Sequence, residues 1–199
     1  MPAGGAPVSV GRMSTPALLD ALRDDVRRTS LGGFPMLITA AVVWSLCAGA
    51  TFLLPPKAAG LVFLFQGMVS MPVGLWLLPK ALGLPALPRD HALTPLLVQC
   101  ASVQALMLPA VFALHSLQPM LVPMGLAAIM GGHFLPYWWL QRTKAYLWGA
   151  LAGALGPWLL TLFAGTKASY HATGFLVGAV LAVLAFVVRA DIRAGRTSG

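Results

Sequence analysis

Six stretches of the chain, residues 34–54, 58–78, 95–117, 119–140, 145–164 and 172–188, contain no Asp, Glu, Lys or Arg. They are 17 to 23 residues long, and an α-helix needs about 20 largely apolar residues to cross a hydrocarbon layer of about 30 Å. Backbone polar groups in lipid must be satisfied within the chain, so runs of this length read as membrane helices. Breakers separate them: Pro55–Pro56, residues 79–94 with Pro85 and Pro88, Gln118–Pro119, residues 141–144 and residues 165–171. The third and fourth runs are joined almost directly, which predicts a tight antiparallel hairpin. The charge content agrees. With 13 Lys and Arg and 5 Asp, only 9% of residues are charged, against about 25% in a soluble domain. Eighteen charged side chains are too few for a water-facing surface, which excludes a soluble enzyme, a disordered chain and a conventional nucleic-acid binder.

The basic residues orient the runs. Arg12, Arg23, Arg27 and Arg28 precede the first, Lys80 and Arg89 follow the second, Arg142 and Lys144 follow the fourth, and Arg189, Arg193 and Arg196 follow the sixth. The other set of loops holds only Lys57 and Lys167. This 11-to-2 split keeps one sign at every crossing and places both termini in the cytoplasm. The same distribution accounts for the net charge of +8 without a nucleic-acid partner. Ala48-Gly49-Ala50 resembles a signal-peptide cleavage site, but the apolar run continues past it to Leu54, which favours an uncleaved first helix.

Ahead of the first run, Leu18, Leu19, Leu22 and Val26 form one stripe of a short amphipathic helix, with Thr15 and Pro16 at its start. Asp20, Arg23, Asp24, Arg27 and Arg28 occupy its other face, and Asp24–Arg28 have the favourable i,i+4 spacing. Such a helix lies on lipid headgroups, docks a partner, or packs on its own bundle. The organisation is then a disordered tail (1–12), a cytoplasmic amphipathic helix (13–32), a six-helix transmembrane domain (33–190) and a cytoplasmic tail (191–199). The fold class is all-α.

Helices already in lipid associate through close backbone contact and a few hydrogen bonds. Gly149/Gly153 with Gly156, Gly174/Gly178, and Ala127/Gly131 with Ala128/Gly132 supply small residues four apart. They predict tight packing of runs five and six with run four close by; homo-oligomerisation or a membrane partner through such faces is the second reading. Gly67-x4-Pro72-x7-Lys80 recurs as Gly131-x4-Pro136-x7-Lys144, an echo that a parallel repeat of hairpins would explain. Cys47 and Cys100 both lie in apolar runs and read as small packing residues rather than a disulfide.

Polar side chains within the runs are where function is sought, because lipid offers them no partner. Gln66, Gln99, Gln104, His133 and Tyr137 are the candidate ligand-binding interior, with Ser70 one turn from Gln66. His133 follows two glycines and precedes Pro136, a place where a helix loosens; it is a ligand donor or an interhelical hydrogen-bonding residue. Trp138 and Trp139, followed by Arg142 and Lys144, suit a headgroup-level anchor or a phospholipid headgroup site. His115 and His171 near the outer face lack a third metal ligand, so no metal and no cofactor is expected. No intramembrane Asp or Glu, HExxH, P-loop or nucleophile–base pair is present, so no catalytic constellation is visible.

The stretch Gly132-His133-Phe134-Leu135-Pro136-Tyr137-Trp138-Trp139-Leu140-x-x-Thr143-Lys144-Ala145-Tyr146, with Gly33-Phe34-Pro35 opening the first run, resembles a bacterial multi-pass membrane family of unknown activity. The resemblance implies an inner-membrane location and an architectural or ligand-binding role for His133, Pro136, Tyr137 and Lys144. Three functions follow as expectations. The first is a structural or accessory membrane protein whose partner is the bilayer itself. The second is a small transporter or channel for a neutral or weakly polar solute through a Gln/His-lined path, and the third a lipid-headgroup-modifying enzyme.

Overall fold

A computed structural model describes residues 15–84 and 91–195, and every described segment of regular structure is helical. The expected tail at 1–12 and residues 196–199 of the expected tail at 191–199, and with them Arg12, Arg89, Asp90 and Arg196, lie outside the described residues. Helix α1 (Thr15–Thr29) is followed by a tight turn at Leu31–Gly33 and then α2 (Phe34–Ala50). Leu31, Gly32 and Gly33 all have positive φ (48°, 60° and 78°). Two glycines make this reversal accessible, since L-residues with a Cβ rarely adopt it. Pro35 then sits in the first turn of α2, where its missing N–H is not needed.

Helix α3 (Pro56–Ala81) is interrupted twice, by a turn at Gln66 and by a π-helical turn over Val73–Leu77. Pro72 cannot donate to the carbonyl four residues back, and the widened turn follows it directly. Helix α4 (Thr94–Leu117) returns, and a short turn at Pro119–Leu121 leads into α5 (Val122–Gln141), the expected close hairpin.

The last helix, α6 (Ala145–Arg193), has 49 residues, about 74 Å if straight. It is not straight. Gly165 has φ 82° and ψ 163°, and the chain doubles back there: the Cβ position of Gly149 lies 2.9 Å from Leu184, and that of Gly156 lies 3.1 Å from Leu176. The fifth and sixth apolar runs are the two arms of this bent helix. The break expected over residues 165–171 is confined to one residue, and helix resumes at once. Five helices are therefore long and apolar enough to cross a membrane, the fifth folded on itself.

Helix α6 is the centre of the bundle, packed on α5 and α2. Small residues set both contacts. A Cβ at Gly131 would stand 2.6 Å from the Ala150 carbonyl and from Ala154, so α5 lies backbone-to-backbone on the first arm. Gly174, whose Cβ would stand 2.7 Å from the Trp44 carbonyl, brings the second arm equally close to α2. The Gly174/Gly178 stripe thus joins the second arm to α2 rather than to the first arm. Between these helices lies a core of Phe34, Leu37, Trp44, Phe63, Leu181, Leu184 and Val188. The sequence echo has no structural counterpart: Gly67 faces open space where Gly131 meets α6, and the π turn after Pro72 is not repeated after Pro136.

The two ends of the bundle are distinct. At one, the Thr51 hydroxyl donates to the Ala48 carbonyl (2.6 Å) and so accepts from Nδ1 of His171 (2.9 Å), while Nε2 of His115 donates to the Lys57 carbonyl (2.9 Å). At the other, α1 lies across the ends of α5 and α6. Its Val26 is fully buried in a small core with Leu93 and Leu140. Arg23 donates to the Trp139 carbonyl (Nε, 3.0 Å) and covers the Trp139 ring, and Arg142 reaches the Asp24 carboxylate at 3.4 Å. Tyr146 donates to the Gly32 carbonyl (2.6 Å), and Thr143 to Asp191 (3.0 Å). The turn after α1 and both termini of α6 meet at this end.

Candidate functional site

Helices α3 and α4 diverge at mid-height. Gly74 lets α3 lean on α2, since a Cβ there would meet Met36 at 2.6 Å, whereas α4 follows α5. Along α4 only Cys100 and Val111 are buried. The divergence leaves a cavity of about 590 Å³ between α2, α3, α4 and α5, within the range of small-molecule sites. Its walls are mostly apolar, with Met36, Trp44 and Leu108 among them. Its rim includes Phe65, Met68, Met71 and Phe112, all exposed on the outer surface of the bundle. The mouth therefore opens sideways, between α3 and α4.

Four polar side chains line this cavity: Gln66 and Ser70 from α3, Gln104 from α4 and His133 from α5. His133 is midway along its helix, and its Nδ1 lies 2.7 Å from the Cys100 carbonyl of α4. That carbonyl only accepts, so Nδ1 carries the proton. Gln66, Ser70 and Gln104 have no side-chain hydrogen bond to any described residue.

Of the five residues expected to form a polar interior, the structure brings together Gln66, Gln104 and His133. Tyr137 does not line the cavity. It packs behind His133 (4.9 Å between rings) and stacks on Tyr146 (5.7 Å), which holds the Gly32 carbonyl. Gln99 is exposed on the outer side of α4 and away from the cavity. The aromatic pair Trp138 and Trp139 is exposed at the end of α5, as a headgroup anchor would be. Arg142 and the Trp139 carbonyl are occupied in holding α1, and Lys144 is exposed at the start of α6. Cys47 and Cys100 are free and buried, and no cluster of three His, Cys, Asp or Glu suited to a metal occurs among the described residues.

Two expectations for α1 are corrected. Arg27, placed on the face opposite the apolar stripe, is 4% exposed and lies against the end of α6. Burial pulls its pKa below the ordinary arginine value, opposed by Asp191 and Asp24. Asp24 turns its carboxylate to Arg142 rather than to Arg28, whose Nε reaches only the Asp24 carbonyl (3.4 Å). A charge from another helix end, brought alongside by the fold, replaces the local partner. The aliphatic and thioether walls of the cavity gave no signal in the sequence, because Met36 and Leu108 are indistinguishable by type from lipid-facing neighbours.

No curated protein and no solved structure matches the chain. Its residues 19–191 match one family model, and this span takes in most of α1, the cavity and both arms of α6. The chain belongs to that family, described as a family of unknown function (DUF7010).

Proposed function

We propose that this chain is an integral protein of a bacterial cytoplasmic membrane that crosses six times and binds a small lipid-soluble molecule entering sideways between α3 and α4. The observation that carries this reading is the lateral cavity: apolar walls, a mouth on the bundle's outer surface, and three side chains whose polar atoms have no partner in the described chain. An unmet hydrogen bond in such surroundings costs about 1–3 kcal/mol. A bundle built only for architecture gains nothing by gathering several of them around one space. Conduction is less well supported, since Gln99 and Tyr137 do not extend the polar lining along the membrane normal. A headgroup-modifying site is not supported either, since Arg142 is engaged with α1 well away from His133.

In proteoliposomes, a photoactivatable amphiphile with a diazirine in its tail should label peptides containing Gln66–Met71 and Ala101–Phe112. Ala105→Trp, which places an indole in the mouth, should cut that labelling about tenfold, equivalent to about 1.4 kcal/mol of binding. Even labelling of all lipid-facing helices, unaltered by Ala105→Trp, would sink the proposal.

The six crossings with both ends in the cytoplasm are supported by the 11-to-2 distribution of basic residues and by the hydrogen bonds that gather the turn after α1 and both termini of α6 at one end. In a background with Cys47→Ala and Cys100→Ala, Lys57→Cys and Lys167→Cys should react with an impermeant maleimide added to intact cells. Arg28→Cys should react only after permeabilisation. Equal reactivity of Lys57→Cys and Arg28→Cys in intact cells rules the topology out.

A further inference from the structure

Resting on that reading, we infer that the ligand is an uncharged lipid-soluble alcohol whose hydroxyl donates its hydrogen bond to Nε2 of His133. The argument begins at the opposite ring nitrogen. Nδ1 of His133 is 2.7 Å from the Cys100 carbonyl, an acceptor with no proton to give, so the ring's proton sits on Nδ1. No carboxylate lines the cavity to accompany an imidazolium, so the ring is neutral. A neutral imidazole with its proton on Nδ1 presents a bare lone pair at Nε2. His133 lines the cavity, and Nε2 has no partner among the described residues.

The polarity of the site follows. Helix α4 holds the ring so that it can only accept, and the helix backbone that fixes this state does not turn over with a side-chain rotation. The other polar side chains are adaptable: the amides of Gln66 and Gln104 and the hydroxyl of Ser70 each donate and accept. Gln104 is one helical turn beyond Cys100, which puts it on the same face as the carbonyl that anchors His133. A hydroxyl meets Nε2 with its proton and leaves its oxygen lone pairs open to an amide or to Ser70. An ester, ketone or ether carries no donor and leaves Nε2 unmet. No Lys or Arg lines the cavity, so a carboxylate or phosphate finds no counter-charge. The hydrocarbon body of the ligand then lies along the apolar walls and past Met68 and Met71, whose flexible thioethers adapt to chains of different shape.

The probes are dodecanol and its methyl ether, which differ in the donor. With the full-length protein in lipid nanodiscs, thermal unfolding is followed as each is titrated, since a ligand that binds the folded state raises the midpoint. Dodecanol should raise it saturably, and the ether should need about tenfold more for the same shift, as expected for one lost hydrogen bond. His133→Phe should bind the two equally. In protein labelled with 15N-histidine, the unprotonated nitrogen of His133 should shift on adding dodecanol and not on adding the ether, a readout that needs no variant. Equal binding of alcohol and ether by the unmodified protein, or discrimination that survives His133→Phe, overturns the assignment of the hydroxyl and leaves the lateral site intact. Absence of stabilisation by both, together with no effect of Ala105→Trp on amphiphile labelling, overturns the site itself and leaves water as its occupant.

Discussion

Gly131→Ala lowers the stability of this protein by about 2 kcal/mol, while Gly132→Ala, one position on, leaves it unchanged or raises it by up to about 1 kcal/mol. The two substitutions add the same methyl group to the same helix. At Gly131 the methyl carbon would stand 2.6 Å from the Ala150 carbonyl oxygen, from the Ala154 nitrogen and from the Ala154 Cβ. Two of these three atoms are backbone, so no rotamer change relieves the overlap, and α5 must move off the first arm of α6. At Gly132 nothing lies within 4 Å of the added carbon, and alanine's better helix propensity is the only remaining term. Thermal midpoints of the two purified variants decide the matter. Shifts of the same sign and size would mean that α5 and α6 are not in backbone contact.

A second large effect is expected at Gly165. Its φ of 82° and ψ of 163° fall in a region reached essentially by glycine alone. Gly165→Val should therefore destabilise by about 2–3 kcal/mol. Nothing lies within 4 Å of a Cβ at this position, so the loss reflects the reversal of the chain rather than a clash at that carbon. Ala164→Val, on the helical residue just before it, supplies the comparison and should cost less than about 1 kcal/mol. Equal losses at 164 and 165, measured by chemical or thermal unfolding in the same detergent, would show that the two arms do not depend on this backbone conformation.

Much of the architecture was legible in the sequence because lipid imposes length and closure on every apolar run. The first four runs became α2 to α5 with small changes at the ends, and the fifth and sixth became the arms of α6. Partner choice was less legible. Gly174 and Gly178 announce a close contact but do not say with which helix, and the answer, α2, depends on the course of the chain at Gly165. The cavity was legible in part. Helical geometry turns about 100° per residue, so Gln99 and Gln104, five apart, point about 140° away from each other. Periodicity alone therefore separates them, and Gln104 is the one that lines the site. Tyr137 shares a face with His133 but sits a turn further along, beyond the cavity's reach. The partner of His133 was not legible at all, because a backbone carbonyl such as that of Cys100 carries no signature in residue type.

The docking of α1 bears on how the protein is made. Its anchors, the Trp139 carbonyl, Arg142 and Tyr146, lie 114 to 118 residues further along the chain than their partners Arg23, Asp24 and Gly32. Helix α1 therefore gains these anchors only once α5 is inserted and α6 has begun to emerge, whereas His91 and Leu93, which also touch it, are made earlier. Closure of this face is a late step of biogenesis, set by contacts of long sequence separation. A nascent chain arrested before residue 139 lacks all three anchors of α1 and the Leu140 part of the cover over Val26.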